Sequence, residues 1–159
     1  MLRRLIILTV AAWFSAATTS GPSDDAAAAP AVRSLGAWFG IFKRAASGER
    51  SFVETRLVPH LADQPYCWVI GLETTLRLIH WREEVTAPSA PATWGAADPT
   101  TTRTLSDDGR QAVTEGDTPL KNGRLFHCWV TETSDPVGRY SIRVIIENRI
   151  EHVFDFDIE

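Results

Sequence analysis

The sequence predicts an all-β protein in which two layers of antiparallel strands pack face to face. From Trp38 onward, short apolar runs alternate with turn residues, and no stretch keeps the helical period of about 3.6 residues. About seven or eight short strands spaced by turns are typical of a sandwich or barrel. The runs are Trp38–Lys43, Ser51–Leu57, Tyr66–Glu73, Leu76–Arg82, Leu125–Thr133, Arg139–Glu147 and Ile150–Ile158.

The last two runs have the clearest strand pattern. Apolar and polar side chains alternate along Arg139–Glu147, broken only by Ile145, and along Ile150–Ile158, broken only by Val153. Because successive side chains of a strand point to opposite faces, each run has one buried and one solvated face. Asn148-Arg149 between them predicts a tight hairpin, since Asn accepts a positive φ.

Two long segments are poorer in apolar residues and are predicted to be loops. Thr86–Thr102 contains three prolines, and Ser106–Gly123 contains the turn signals Asp-Asp-Gly and Asn-Gly. Within the second segment, Arg110–Thr114 is predicted as one edge strand. Trp94 lies in the first loop, where it is suited either to docking on a sugar or peptide or to tucking the loop onto the sandwich.

The N-terminus has the three-part layout of a secretory signal peptide. Arg3 and Arg4 precede an apolar run, Leu5–Phe14, which is followed by small residues. The run is shorter than the roughly 20 residues that a membrane-spanning helix needs. We therefore predict a signal peptide over residues 1–17, with cleavage as late as about residue 29, a flexible lead-in over 18–34 and one domain over 35–159. The expected location is periplasmic or secreted, without membrane insertion after cleavage.

Export to an oxidising compartment allows the two cysteines to pair. Cys67 and Cys128 permit one intrachain bridge, and without CxxC spacing they are too few for a metal site. Trp81 follows Cys67 in an order similar to that of immunoglobulin domains, where a core Trp packs on a bridge between sheets. Tyr140, after the turn at Asp135, resembles the tyrosine that enters a late strand of such sandwiches. It follows the second cysteine instead of preceding it, so a generic Ig-like sandwich with its own disulfide is predicted.

The cysteines also predict which aromatic side chains face the solvent. If Cys67 and Cys128 both point inward, parity turns Tyr66, Trp68 and Trp129 outward. If their strands are antiparallel neighbours with the cysteines opposite, Tyr66 lies across from Trp129. Contiguous exposed aromatic surface is typical of binding sites, so these three residues and Trp94 are candidate binding residues. The alternative is that a strand or loop covers this face, or that both faces are core.

Catalytic motifs are absent from the sequence. It contains no GxSxG, HExxH, P-loop or GxGxxG pattern, and its four histidines fall in separate segments. Asp155 and Asp157 share one strand face and could act as acid and base, although such acids are ordinary on a solvated face. Glu83 and Glu84 invite the same interpretation. We therefore predict no catalytic, cofactor or metal residues, with a secreted hydrolase using Asp155 and Asp157 as the alternative.

Several short motifs resemble a bacterial family. They are Gly36–Lys43, Val58-Pro59, Asn122–Phe126, Gly138–Ile142 and Val153–Phe156. The chain resembles, over about residues 35–158, short secreted or periplasmic proteins known as a domain of unknown function with an Ig-like β-sandwich. The resemblance implies fold and compartment, and it implies no catalytic or binding residues.

These observations together predict an exported, non-catalytic binding or accessory module of the bacterial envelope. Its partner would be another envelope protein or a glycan, and a structural or inhibitory envelope protein is a further alternative. The net charge of −4 and the lack of a basic run disfavour nucleic acid as a partner. The sequence leaves the oligomeric state open.

Overall fold

The computed structural model describes residues 31–44 and 47–159, all of whose regular structure is β. The predicted signal peptide and most of the predicted lead-in lie outside these residues. The strands are β1 (Val32–Arg44), β2 (Arg50–Glu54), β3 (Leu57–Val58), β4 (Pro65–Thr74), β5 (Ile79–Thr86), β6 (Thr101–Leu105), β7 (Gln111–Thr118), β8 (Arg124–Val130), β9 (Gly138–Ile146) and β10 (Ile150–Ile158). Within the described ranges, no helix is long and apolar enough to cross a membrane.

The strands form two sheets that pack as a sandwich, which confirms the predicted fold class. A four-stranded sheet has the order β2-β1-β4-β8, and a six-stranded sheet has the order β3-β10-β9-β5-β7-β6. All neighbours are antiparallel except β3 and β10. The sheets meet through aromatic contacts: the Phe39 and Phe156 ring centroids lie 4.5 Å apart, and those of Trp68 and Trp81 lie 5.7 Å apart.

Alternating side chains build the core from both sheets. Along β9 the residues Tyr140, Ile142, Val144 and Ile146 are buried, and the residues between them face outward. This period of two is the reason that the sequence pattern predicts the β9–β10 hairpin correctly. The turn has three residues, one more than predicted, since it begins at Glu147 (φ 50°) and also includes Asn148 (φ 54°) and Arg149.

The tyrosine after the Asp135 turn is fixed as the resemblance to immunoglobulin domains suggests. The Tyr140 hydroxyl donates a 2.8 Å hydrogen bond to the carbonyl oxygen of Pro136 at the entry to β9. Burial, with a contribution from the Asp135 charge, raises the pKa of Tyr140. The hydroxyl therefore stays protonated and anchors the turn before β9.

Three predictions about the strands need correction. β1 begins at Val32, inside the predicted lead-in, and β6 occupies the end of the predicted Thr86–Thr102 loop. β7 runs to Thr118 and lies between β5 and β6, so it is an inner strand and not the predicted edge strand. The residue propensities did not predict the extents of these strands, because their stability comes from pairing with neighbours that are distant in sequence.

The predicted disulfide is present but joins two neighbouring strands of one sheet. Cys67 on β4 and Cys128 on β8 are directly opposite, with their Cα atoms 4.1 Å apart. The bridge therefore crosslinks β4 to β8 and does not connect the two sheets. Trp81 packs on Trp68 and His127 instead of on a bridge between the sheets.

A candidate ligand-binding cleft

A cleft opens at the side of the sandwich where each sheet has an edge strand. β8 ends the four-stranded sheet, β6 ends the six-stranded sheet, and residues 87–100, here called the β5–β6 loop, connect the latter to β5. The cleft has a volume of about 450 Å³, within the usual range for small-ligand sites. Its walls include aromatic, cationic and acidic side chains: Tyr66, Trp94, Asp98, Arg103, His127, Trp129, Glu132 and Asp135.

The predicted outward orientation of the aromatic face is wrong. Tyr66 and Trp68 are buried, and Trp129 is only 9% exposed. The predicted register is correct, since Tyr66 lies opposite Trp129. The error lies in the choice of face: Cys128 points outward, as Phe126 and Val130 do, so the adjacent residues His127 and Trp129 turn inward. Tyr66 and Trp129 still contribute to the cleft walls.

A fully buried carboxyl group lies behind the cleft. Glu83 is 0% exposed, and its side chain accepts hydrogen bonds from the indole Nε1 atoms of Trp68 and Trp129, the latter over 3.0 Å. Indole N–H groups can only donate, so this carboxyl group satisfies two buried donors at once. Burying an acid is costly unless such partners surround it. Glu83 thereby fixes the orientation of both tryptophans.

His127 connects this buried group with the cleft. Its Nδ1 atom lies 3.2 Å from Oε2 of Glu83, and 21% of its side chain is exposed. The ring packs between aromatic neighbours, with centroid distances of 5.2 Å to Trp81 and 5.6 Å to Trp129. Since Nδ1 is engaged by Glu83 and the ring lines the cleft wall, Nε2 is the nitrogen that remains for a ligand.

Trp94 tucks the β5–β6 loop onto the sandwich, which is one of the two roles predicted for it. Its Nε1 atom donates a 2.9 Å hydrogen bond to the Gly109 carbonyl oxygen. Its ring meets Trp129 edge to face at a centroid distance of 6.1 Å. Trp94 is half-buried in this position, and it forms one wall of the cleft.

Arg103 reaches into the cleft from β6 and lies over Trp129. Its guanidinium carbon is 4.6 Å from the Trp129 ring centroid, a cation–π contact. Its Nη1 atom donates to the carbonyl oxygens of Trp94 and Gly95, at 2.8 and 3.3 Å, and its Nε atom donates to Thr114 at 3.3 Å. These bonds hold the guanidinium in one place.

Arg103 also lacks a salt bridge in the part of the chain that the structure describes. No carboxylate oxygen there lies within 4.0 Å of its guanidinium. Desolvation lowers the pKa of Arg103, and the charge of Glu83 partly offsets this. A positioned, partly desolvated cation without a counter-ion favours an anionic ligand.

Acidic residues at the cleft margin limit which anions fit. Asp98 is exposed, and hydrogen bonds from the Thr100 hydroxyl and backbone hold its pKa below the usual value. The Asp135 charge adds to burial in raising the pKa of Tyr66. The margin is therefore negative around a single positive centre, which disfavours polyanions and favours one carboxylate placed at Arg103.

The residues of the alternative hydrolase hypothesis lie elsewhere. Asp155 and Asp157 are on the outer face of the six-stranded sheet, and neither lines the cleft. Asp155 pairs with Arg139 at 3.2 Å, and hydrogen bonds from Ser141 and Arg139 lower its pKa. Over residues 31–44 and 47–159, no group of three or more His, Cys, Asp or Glu side chains is arranged to hold a metal ion.

Sequence reasoning considered Glu83 only as one of two neighbouring acids on a solvated face, and it did not single out His127 or Arg103. For Glu83 a usable signal existed: Ile79, Trp81 and Val85 set the inward phase of β5, and Glu83 falls on the same phase. Glu84 points outward, as expected of a solvated acid. Arg103 had no such signal, because its position depends on the pairing of β6 with β7, and the sequence did not predict β6 as a strand.

Comparison with known proteins agrees with the fold. A family model described as the PM0630 beta sandwich domain matches residues 37–159. An immunoglobulin-like protein from Pseudomonas aeruginosa has a similar structure, with a TM-score of 0.53 at 18% identity, covering 81% of this chain and 97% of that one. No protein with a curated description matches the chain in a sequence search. At this identity the structural likeness shows the fold alone.

Proposed function

The chain belongs to the PM0630 beta sandwich domain family, and we propose that it is an exported, non-catalytic binding module of the bacterial envelope. The cleft beside Trp94 and Trp129 binds a ligand through a carboxylate group. Export is supported by the signal-peptide pattern of residues 1–17 and by the Cys67–Cys128 bridge.

Arg103 carries most of this proposal. Its guanidinium is held by carbonyl oxygens, stacked on Trp129 and left without a carboxylate partner in the described residues. Its Nε and Nη1 N–H groups are already engaged, so a carboxylate would accept from Nη2 and supply the missing negative charge. The aromatic rings around it supply apolar contact area, and Nε2 of His127 supplies a further polar contact.

Binding is favoured over catalysis by what surrounds His127. An imidazole oriented by a carboxyl group is also the arrangement of general bases. Within the described ranges, no hydroxyl or thiol lies within hydrogen-bonding distance of the His127 ring, which pairs with the Glu83 carboxyl group. The arrangement thus offers a ligand a rigid polar wall without a side-chain nucleophile.

The test compares Arg103→Gln with Arg82→Gln. Arg82 is the matched control, since it lies on the outer face of the six-stranded sheet and pairs with Glu84 and Glu115. Calorimetric titrations would use a short peptide with one glutamate and monomeric galacturonate, with the matching glutamine peptide and galactose as neutral counterparts. We expect an acidic probe to bind wild type, and Arg103→Gln to weaken it about tenfold or more while Arg82→Gln does not. Equal binding of acidic and neutral probes, or an unaffected Arg103→Gln variant, would contradict the proposal.

A further inference from the structure

β8 is the longest strand at an edge of either sheet. It has seven residues, whereas the other edge strands, β2, β6 and β3, have five, five and two. Natural edge strands are usually shortened, charged, bulged or covered, because an open edge pairs with other strands. Between Leu125 and Val130, β8 contains no charged residue, proline or register shift.

The register shows which backbone groups of β8 face its free side. The Cα separation of 4.1 Å between Cys67 and Cys128 is typical of a non-hydrogen-bonded pair, whose N–H and C=O groups point away from each other. Two bonds to the β4 side confirm the phase: Leu72 N–H donates to Gly123, and Thr131 N–H donates to Gln64. The odd-numbered residues of β8 therefore bond to β4, and the even-numbered ones face outward along the edge.

Three of these even-numbered positions are open. Arg124 is closed by two backbone hydrogen bonds with Lys121. Phe126, Cys128 and Val130 come next, and the backbone groups that they direct to the free side have no hydrogen-bond partner in the described residues. Phe126 is 42% and Val130 is 50% exposed. The edge thus presents three N–H and three C=O groups at the two-residue spacing of a strand ladder.

We propose that the free edge of β8 binds an extended polypeptide segment of a partner protein, which adds to the four-stranded sheet as a fifth strand. This inference identifies the ligand of the proposed cleft as a polypeptide, and its preference for an acidic side chain rests on the proposed function. Strand addition derives affinity from backbone hydrogen bonds and specificity from alternate side chains. A glycan has no matching ladder of N–H and C=O groups, so a polypeptide fits the edge better.

The two sides of the edge specify the side chains of this segment. On the inner side, the cleft with Arg103 favours an acidic side chain. On the outer side, Phe126 borders an apolar groove of about 670 Å³ that also contains Trp38, Phe42, Phe52 and Val69. Because successive side chains of a strand alternate, the segment directs one acidic side chain to Arg103 and aromatic or aliphatic side chains to the outer side. Lys121 and Arg124 outnumber Glu54 among the lining residues of this groove, so the outer side also carries a net positive charge.

A second copy of this chain is a poorer occupant of the same edge. Pairing β8 with its two-fold mate would place both inner faces on the same side of the joined sheet. Both Arg103 side chains and both β5–β6 loops would then lie on that side, which brings like charges together. A single acidic strand avoids this repulsion.

Amide exchange in the mature chain provides the first test. The probes are nonapeptides of alternating serine and valine or phenylalanine in which the central serine is replaced by glutamate, together with galacturonate. We expect the amides of Phe126, Cys128 and Val130 to exchange rapidly in the free protein and at least about tenfold more slowly with a nonapeptide. The amides of Leu125, His127 and Trp129 should be protected in both states. Galacturonate that binds as tightly as the nonapeptide, or peptide binding without this protection, overturns strand addition.

Val130→Pro provides the second test, with Val130→Ala as its control. Proline removes the N–H group that faces the free edge, a position where sheets tolerate it, so near-ultraviolet circular dichroism should stay unchanged. We expect Val130→Pro to weaken the nonapeptide at least about tenfold, and Val130→Ala to weaken it much less. Protection of the edge amides without peptide, rising with protein concentration, would show self-pairing and overturn the proposal.

Failures of the two proposals are distinguishable. If Arg103→Gln weakens the nonapeptide and Val130→Pro does not, the carboxylate cleft stands and strand addition is wrong. If Val130→Pro weakens the nonapeptide and Arg103→Gln does not, strand addition stands and the cleft proposal is wrong. Unaffected binding in both variants overturns both proposals.

Discussion

The outer faces of the two sheets differ sharply in character. The six-stranded sheet exposes a ladder of charged side chains, connected as Glu115–Arg82–Glu84–Arg143–Glu151, with a separate Arg139–Asp155 pair. The four-stranded sheet exposes Trp38, Phe126 and Val130, and the half-buried Phe42 and Phe52 line the same groove as Trp38 and Phe126. The first face is therefore strongly hydrated, whereas the second presents apolar surface of the kind that is common at interaction sites.

Local packing explains how an indole ring is accommodated on the open face. The Trp38 ring lies over two glycines, Gly36 on β1 and Gly71 on β4. A Cβ atom at Gly36 would lie 2.7 Å from the ring, and one at Gly71 would lie 3.5 Å from it. Gly36 also has a φ of 155°, at the margin of the region that favours glycine. The ring can therefore take this position only because Gly36 lacks a side chain, whereas a Cβ atom at Gly71 would make an ordinary van der Waals contact with it.

Removal of the disulfide should cause the largest loss on the contact face. Cys67→Ala combined with Cys128→Ala opens a loop with a sequence separation of 61 residues, so we expect the free energy of unfolding to fall by about 4 kcal/mol. Urea denaturation of the oxidised wild type and the double variant measures this change. A loss below about 1 kcal/mol would show that the β4–β8 pair is held by its ladder and aromatic packing alone.

The second largest effect compares the stability contributions of two acids on opposite faces of β5. Glu83→Ala leaves the Trp68 and Trp129 indole N–H groups buried without an acceptor, so we expect a loss of about 3 kcal/mol. Glu84→Ala on the outer face removes ion pairs to Arg82 and Arg143, and we expect less than about 1 kcal/mol. Comparable losses in urea denaturation would mean that the buried carboxyl group is no more important than a solvated one.

The smallest effect concerns the charged ladder and its dependence on pH. A hydrogen bond from Arg143 holds the pKa of Glu151 below its usual value of 4.5, so the folded state favours the ionised form. Such a group contributes stability above the pKa of the unfolded chain and loses it as the pH falls through the folded value. We expect Arg143→Gln to lower the Tm at pH 7, and the difference from wild type to shrink towards pH 3.

Glu151→Gln provides the control for this pH dependence. It removes the titrating partner, so Arg143→Gln should have less effect in its background at either pH. Added salt should also reduce the difference between wild type and Arg143→Gln, since both side chains are exposed. A difference in Tm that stays constant from pH 7 to pH 3 would contradict the role of Glu151.

The accuracy of the sequence predictions varied with the pattern of each strand. β9 alternates strongly, so the buried face of its hairpin followed from the sequence. β4 and β8 carry large apolar residues on both faces, as in the adjacent pairs Trp68-Val69 and Trp129-Val130. Their register was predictable from the cysteines, but their buried face was not. Assigning Cys128 to the inside reversed the orientation of Tyr66, Trp68 and Trp129.

The candidate cleft shows the same limit more strongly. Trp94 could be singled out because a tryptophan in a proline-rich loop is unusual, whereas its contact with Trp129 depends on the loop crossing to another sheet. Arg103 and Glu83 are ordinary charged residues in the sequence. They differ from ordinary charged residues because Arg103 stacks on Trp129 without a salt bridge to any described residue, and Glu83 is fully buried between the sheets.

The sequence alone determined the all-β class, the C-terminal hairpin and the pairing of Cys67 with Cys128. These follow from side-chain alternation and from the number of cysteines, which are local or combinatorial properties of a chain. Tertiary structure alone decided which face of β4 and β8 is buried, where β6 pairs, and which strand edge stays open. Those outcomes depend on contacts between distant segments, whose free energies are not encoded in any short stretch of residues.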